Sequence, residues 1–307
     1  MSVQSNASPD LPIGASPPRP AAAARRTYLW SVRRELWENR SIWIAPLVVV
    51  GVILVGFAFS LVGFVARFQH TQTLPLPKQA AAHAEIYDFA TLAVILASMV
   101  VAVFYCLGAL QGERRDRSIL FWKSLPVSDL TTVLAKATIP LVVIPAVAYL
   151  LVIALRLVML VVGAAVLAAN GVDPAPLWPA VTPVTTPVLL LYAMATISLW
   201  YAPIYAWLLL VSAWARRMAF LWAFGPPFVL LLFDRIAFHG LLFHPLLKYR
   251  LTGGVEAAFT PQSHTPMSLA DVDPLRFLAS PGLWFGLIFA AGFLAAAVWL
   301  RRRRAPD

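Results

Sequence analysis

Residues 41–66 read SIWIAPLVVVGVILVGFAFSLVGFVA, and the whole run lacks a charged side chain. An α-helix crosses the hydrocarbon core of a bilayer, roughly 30 Å thick, with about 20 apolar residues. The run is therefore long enough to span a membrane. Because it is continuous rather than alternating, it predicts a helix and argues against a strand of a transmembrane barrel.

Apolar runs of this kind recur along the chain. Its 307 residues are 60% hydrophobic and only 12% charged, too few charges to cover a soluble domain of this size. We therefore expect an all-α polytopic membrane protein with six transmembrane helices. The predicted spans are about 42–66, 89–111, 138–168, 187–213, 218–238 and 278–300.

Basic residues are distributed unequally between the two sides of the predicted membrane domain. Seventeen of the 24 lysines and arginines precede the first span, follow the second or fourth, or lie in the tail, whereas five fall on the other side. The positive-inside rule then predicts that both termini are cytoplasmic. We also expect the protein in the inner (plasma) membrane. Because the net charge of +10 is divided among separated membrane-edge loops, it indicates contact with membrane lipids and not nucleic-acid binding.

The chain before the first span has two parts. Residues 1–24 are rich in proline, alanine and serine, which predicts a disordered cytoplasmic leader. Residues 25–40 predict an amphipathic interfacial helix, with Val32 and Leu36 on its apolar arc and a stripe of basic residues beside it. This helix either fixes the first span in the interface or also contacts a cytoplasmic partner. Residues 301–307 form the predicted basic cytoplasmic tail.

A charged segment, residues 113–136, separates the second and third spans. Apolar residues from Ile119 to Leu125, including Trp122, favour a short amphipathic helix against the cytoplasmic face, and a solvated loop is the alternative. Asp129 is placed to start the helix that leads into the third span.

The same segment carries a family resemblance. Glu113, Arg117-Ser118-Ile119, Leu125-Pro126-Val127-Ser128 and Lys136 resemble the signature of type-2 permeases of ATP-binding-cassette (ABC) exporters. In that family, Glu and basic residues precede Gly-Thr-Leu, a short helix, Pro-aliphatic-Ser and a Lys that opens the third span. Arg117 stands here where the family has Gly. The layout of the spans is similar along the whole chain.

The resemblance implies a permease subunit whose segment 113–136 is a coupling helix for a separate ABC ATPase subunit. It also implies a second permease copy or a homologue that completes the translocation path. The chain itself lacks the Gly-x-x-x-x-Gly-Lys-[Ser/Thr] loop that cradles nucleotide phosphates, so we expect no enzyme activity of its own and no cofactor. The residues that the resemblance assigns to ATPase coupling are Glu113, Arg114, Arg117, Trp122, Leu125, Pro126 and Lys136.

Two charges fall inside predicted spans. Arg156 and Asp234 lie at similar depth near the outer edge, counted at about 1.5 Å per residue, and form a candidate intramembrane ion pair. Snorkelling of each charge to the interface is the alternative. The histidines are too scattered to predict a metal site.

The longest external connection, residues 239–281, contains apolar residues that predict short re-entrant helices. Two other function classes stay open beside the exporter: an intramembrane lipid-modifying enzyme and a membrane scaffold that transports nothing.

Overall fold

The computed structural model describes residues 21–112, 127–181, 185–260 and 269–303. These residues form helices, and the only strand-like pairing among them is one isolated bridge between Phe259 and Val272. The α-helices are α1 Ala21–Glu38, α2 Ser41–Ser60, α3 Phe64–Gln72, α4 Leu76–Ala109, α5 Asp129–Thr138, α6 Ile144–Ala169, α7 Thr185–Trp214, α8 Ala219–Ala237, α9 Phe243–Ala258, α10 Pro274–Ala279 and α11 Pro281–Arg303.

Among the residues that the structure describes, six helical stretches are long and apolar enough to cross a membrane, which confirms the predicted number of spans. They are Ser41–Ser60, Ala81–Ala109, Asp129–Ala169, Thr185–Trp214, Ala219–Ala237 and Pro281–Arg303. The third stretch contains α5 and α6, which a π-helical turn at Ile139–Val143 joins into one continuous rod. Pro140 lies within this turn and Pro145 lies two residues after it, and their missing amide hydrogens explain why regular α-helical bonding is interrupted there.

Several helices begin or end more than a turn away from the predicted span boundaries. The first span ends at Ser60 instead of residue 66, because Gly63 takes a left-handed backbone conformation (φ 75°) that stops the helix. The helix that contains the second span, α4, begins at Leu76, well before residue 89, where the predicted span starts. The alanine-rich residues before the apolar run also favour helix. At the C-terminus, α11 continues to Arg303, so the predicted tail is helical at its start.

The fourth span, α7, is the central helix of the bundle. It packs against α11, α4, α6, α8 and α9. Buried residues make up 61% of the most apolar stretch of α7. The corresponding share is 17% for α2 and α8, which lie at the periphery. The broad apolar surface of these peripheral helices is what a membrane-embedded domain presents to lipid.

Helix α1 and the end of α11, the first and last described elements of the chain, lie at one end of the bundle, which we call the terminal face. One buried cluster brings together the start of α2, the end of α4, the end of α7 and the start of α8, through residues such as Ile42, Cys106, Leu208 and Ala219. The start of α5 and the end of α11 join there through Val133 and Ala297. The long helix α9, which was predicted as part of a re-entrant segment, lies toward the opposite end and packs on α7.

Candidate functional site

The terminal face contains a buried polar centre around Glu35. Its Oε1 accepts a hydrogen bond from Lys136 Nζ at 2.8 Å, and its Oε2 accepts one from the Tyr105 hydroxyl, also at 2.8 Å. Glu35 and Lys136 are each only 2% exposed. Because both charges are removed from water, their pairing is needed to offset the cost of desolvating them.

The local sequence explains why three helices meet at this carboxylate. Glu35 lies on the inner side of α1, next to Val32 and Leu36, which pack on the core. Lys136 lies in the last turn of the amphipathic helix α5, and Tyr105 lies near the end of α4. The result is a polar connection among α1 and the second and third spans.

The start of α5 is fixed by a second pair of contacts. The Ser128 side chain accepts a hydrogen bond from the Thr131 amide at 3.1 Å, as an N-cap residue does, which confirms the predicted helix start at Asp129. Asp129 in turn accepts a hydrogen bond from Arg301 Nε at 2.8 Å, and Arg301 is 8% exposed. This ion pair connects the third span to the end of the sixth.

The end of α4 is held by a serine of the central helix. The Ser212 hydroxyl accepts hydrogen bonds from the amides of Leu110 and Gln111, both at 3.0 Å, and donates to the Leu107 carbonyl at 2.8 Å. Ser212 is fully buried. One side chain thus satisfies several backbone groups where the helical ladder of α4 ends.

An open cleft lies between α1 and the start of α5. It encloses about 470 Å³ and borders the buried centre, with Glu35 in its wall. Its other lining residues are Arg26, Thr27, Trp30, Ser31, Arg34, Val127, Thr132 and Ala135. The cleft therefore places polar and aromatic side chains next to the chain that leads out of segment 113–126.

Most residues that the family resemblance singled out lie outside the part of the chain that the structure describes. Those residues are Glu113, Arg114, Arg117, Trp122, Leu125 and Pro126. Lys136 is described, and its burial directs it to Glu35 instead of toward a surface. Its role in the bundle is to join two helices, so it offers no exposed charge to a partner.

The expected pair of Arg156 with Asp234 is replaced by two separate interactions. Arg156 NH1 donates to Asp88 Oδ1 at 3.1 Å and to the Thr91 hydroxyl at 2.9 Å, and its guanidinium lies over the ring of Tyr87 at 5.6 Å. These partners all lie on α4, which packs against α6. Neighbouring helices thus determine the pairing, whereas depth in the membrane alone does not.

Asp234 instead caps the helix that follows it. Its carboxylate accepts hydrogen bonds from the amides of Leu242, Phe243 and His244 at 3.0–3.1 Å. His239 and Gly240 take positive φ angles between the two helices, which turns the chain so that the start of α9 faces Asp234. A carboxylate at a helix N-terminus satisfies free amides and the helix dipole together.

The guanidinium of Arg250 attaches α9 to the bundle at the end away from the terminal face. Arg250 donates to the carbonyls of Trp200 and Gly282, the latter at 3.0 Å, and stacks on the Trp200 ring at 4.8 Å. The Trp200 indole donates back to the Arg250 carbonyl at 2.8 Å. Burial lowers the pKa of the Arg250 guanidinium from its usual value. This cluster joins α9 to the fourth and sixth spans.

Within the described ranges, no group of three His, Cys, Asp or Glu side chains lies close enough to hold a metal ion. No protein-family model, curated protein or solved structure matches the chain. The six apolar helices define the class, a multi-span helical membrane protein. The polar contacts on the terminal face indicate where it could act on a partner.

Sequence reasoning missed the residues that complete these contacts: Glu35, Tyr105, Asp88, Ser212, Arg301 and Arg250. The sequence could have predicted a buried role for Glu35, because it is an acidic residue next to the apolar arc of an arginine-rich helix. Ser212 and Arg301 had none, because an ordinary serine and one member of an arginine run do not reveal distant partners.

Proposed function

We propose that this chain is the transmembrane permease subunit of an ABC exporter, with the terminal face in the cytoplasm and a separate ATPase subunit as its motor. The family-like signature in residues 113–136, the six apolar helices and the excess of basic residues near the terminal face support this proposal. The substrate crosses the inner membrane outward, by alternating access.

The observation that carries the proposal is that polar contacts fix the chain on both sides of segment 113–126. On one side, Ser212 holds the amides that follow α4. On the other side, Ser128 caps α5, and both Asp129 and Lys136 are ion-paired. A segment that transmits force from a docked ATPase needs fixed ends, and these contacts supply them.

These contacts also define where a displacement of the segment would be transmitted. Lys136 connects to α1 and α4 through Glu35 and Tyr105, and Asp129 connects to α11 through Arg301. Rigid coupling requires elements that move together, and charge-assisted hydrogen bonds in a dry environment hold them so. In the proposed cycle, ATP binding in the motor tilts α5 and α6 as a unit.

The π-helical turn at Ile139–Val143 is the place where this rod can change shape. Such turns disturb regular α-helical bonding and often occur at functional positions. The turn lies directly after Lys136 and Thr138, the residues that attach the rod to α1. A second permease copy or homologue completes the path in this proposal.

The test is a purified complex in lipid nanodiscs. Each phosphate-loop ATPase encoded by the source organism is co-expressed, one at a time, with the affinity-tagged chain. The rate of ATP hydrolysis is then measured for that ATPase with and without the chain. We expect one ATPase to form a stable complex whose hydrolysis rate changes at least several-fold on assembly. An inactive phosphate-loop lysine variant of that ATPase serves as the control, since it should assemble without hydrolysing ATP. Failure of every ATPase to assemble contradicts the proposal.

A further inference from the structure

Arginine and tryptophan alternate on the exposed side of α1, which borders the cleft toward α5 at Arg26 and Trp30. Arg26, Trp30, Arg33 and Trp37 are spaced by four, three and four residues, so at about 100° per residue they fall within about 60° of arc. Glu35 lies on the opposite side of the helix. All four side chains are exposed, Trp30 by 58% and Trp37 by 66%. We call these four residues the Arg–Trp stripe.

Arg33 lies between the two tryptophans. Its guanidinium carbon is 5.1 Å from the Trp30 ring centroid and 4.7 Å from that of Trp37. In the described part of the chain no carboxylate pairs with Arg33, whereas the neighbouring Arg34 is ion-paired to Glu35 and Glu38. Stacking orients the Arg33 guanidinium, and its N–H donors remain available to an anion from outside.

The position of the stripe relative to the first span indicates what that anion is. Arg40 lies two residues after the end of α1 and immediately before Ser41, which begins the first membrane-spanning helix. Trp43, at the start of that helix, is also exposed, by 43%. Exposed tryptophans cluster at the headgroup level of a bilayer, and basic residues beside them attract anionic lipids.

We propose that the Arg–Trp stripe, with Arg40, binds the phosphate-bearing headgroups of anionic phospholipids, and that Arg33 is the principal phosphate ligand. The tryptophans intercalate at the headgroup boundary, and the arginines neutralise the lipid charge. This proposal does not depend on transport or on an ATPase, so it can fail or succeed independently of the proposed function.

The stripe also belongs to the helix that carries the buried centre. The Arg–Trp stripe on one side of α1 is exposed, whereas Glu35 on the other side of α1 pairs with Lys136. A bound lipid layer therefore holds α1 against the bundle from outside while the ion pair holds it from inside.

Wild-type protein provides the first test, because it requires no variant to fold. The detergent-solubilised full chain is titrated with short-chain phosphatidylglycerol or phosphatidylcholine, and bound lipids are counted by native mass spectrometry, with thermal unfolding as a parallel readout. We expect phosphatidylglycerol to bind at least about tenfold more tightly at low salt, and this preference to shrink at about 1 M salt, because screening weakens exposed charge pairs. Equal binding of the two lipids overturns the proposal.

Matched variants then locate the site. Arg33→Gln combined with Arg40→Gln removes two exposed charges at the stripe, and Arg217→Gln combined with Arg302→Gln removes two exposed charges elsewhere on the terminal face. Each basic residue beside an anionic surface contributes about fivefold in affinity. The affinity for phosphatidylglycerol should therefore fall roughly tenfold or more in the first double variant and much less in the second. Equal losses in the two pairs would mean a diffuse charge effect and contradict a site.

The single variant Arg33→Lys separates stacking from charge. A lysine keeps the charge but loses the planar guanidinium that lies between Trp30 and Trp37, so a several-fold loss of phosphatidylglycerol binding is expected. Unchanged lipid binding in both Arg33→Lys and the Arg33→Gln, Arg40→Gln variant overturns the proposal. If those variants instead lose a protein partner while keeping their lipids, the stripe is a protein-docking surface and not a lipid site.

Discussion

Lys136 and Glu35 form an ion pair 2.8 Å long between side chains that are each 3% exposed, and they lie 101 residues apart in the chain. The pair joins α1, which precedes the membrane domain, to the rod that forms the third span. Because Tyr105 donates to the other oxygen of the same carboxylate, three helices depend on one buried charge.

The first prediction concerns this pair. Glu35→Ala should lower the free energy of unfolding by about 3–5 kcal/mol, because it removes the carboxylate that pairs with the buried Lys136 charge. Glu35→Ala combined with Lys136→Met should be less destabilising than Glu35→Ala alone. The measurement is thermal and denaturant unfolding of the purified protein in detergent. Glu38→Ala is the matched control, because its ion pair with Arg34 is half exposed and should contribute less than about 1 kcal/mol. Additive losses in the double variant would contradict a direct pair.

The second prediction distinguishes the two candidate partners of Arg156. A double-mutant cycle between Arg156→Ala and Asp88→Ala should give a coupling free energy of at least about 0.5 kcal/mol, because these side chains are in contact. The same cycle with Asp234→Ala should give additive effects, because Asp234 is engaged with backbone amides of α9. Strong coupling to Asp234 and none to Asp88 would restore the pairing expected from depth alone.

The third prediction concerns the close packing of α9 on α7. A Cβ added at Gly254 would lie 2.6 Å from the ring of Trp200, which is 1% exposed and hydrogen-bonded to the Arg250 carbonyl. Gly254→Ala should therefore cost about 1–3 kcal/mol through overpacking. Gly51→Ala is the control, because nothing lies within 4 Å of its added Cβ, and its stability should be unchanged or slightly higher. Equal unfolding temperatures of the two variants would show that α9 does not pack there.

The fourth prediction concerns orientation. Reporters fused within residues 113–136 and after Arg304 should read cytoplasmic, and a reporter within residues 252–268 should read external, because the basic residues concentrate near the terminal face. Paired alkaline phosphatase and green fluorescent protein fusions measure this. An external signal from the tail is incompatible with six spans and two cytoplasmic termini.

The number and type of spans could be predicted because unbroken apolar runs report directly on burial in lipid. The ends of the helices could not, and one of them bears on the site. The predicted second span begins at residue 89, one residue after Asp88. In the structure α4 begins at Leu76, which places Asp88 on a helix beside α6.

The site could be predicted only where a local pattern carries it. Asp129 as a helix start follows from local sequence, and the Ser128 cap confirms it. The partners of Lys136 and Asp129 lie on helices that are distant in sequence, and the rotation of each helix about its axis decides which side chains meet. That rotation depends on the packing of the whole bundle, which a single sequence does not display.

The most direct test of the proposed function is the effect of Trp122→Ala combined with Leu125→Ala on the purified complex with the ATPase. Each apolar side chain that fills a desolvated pocket commonly contributes about 2 kcal/mol or more, so the variant should bind the ATPase at least about thirtyfold more weakly and lose the assembly-dependent change in hydrolysis. Trp178→Ala, an exposed tryptophan outside this segment, serves as the control and should leave both quantities unchanged. Wild-type binding and wild-type hydrolysis in the Trp122→Ala, Leu125→Ala variant would contradict a coupling role for the segment.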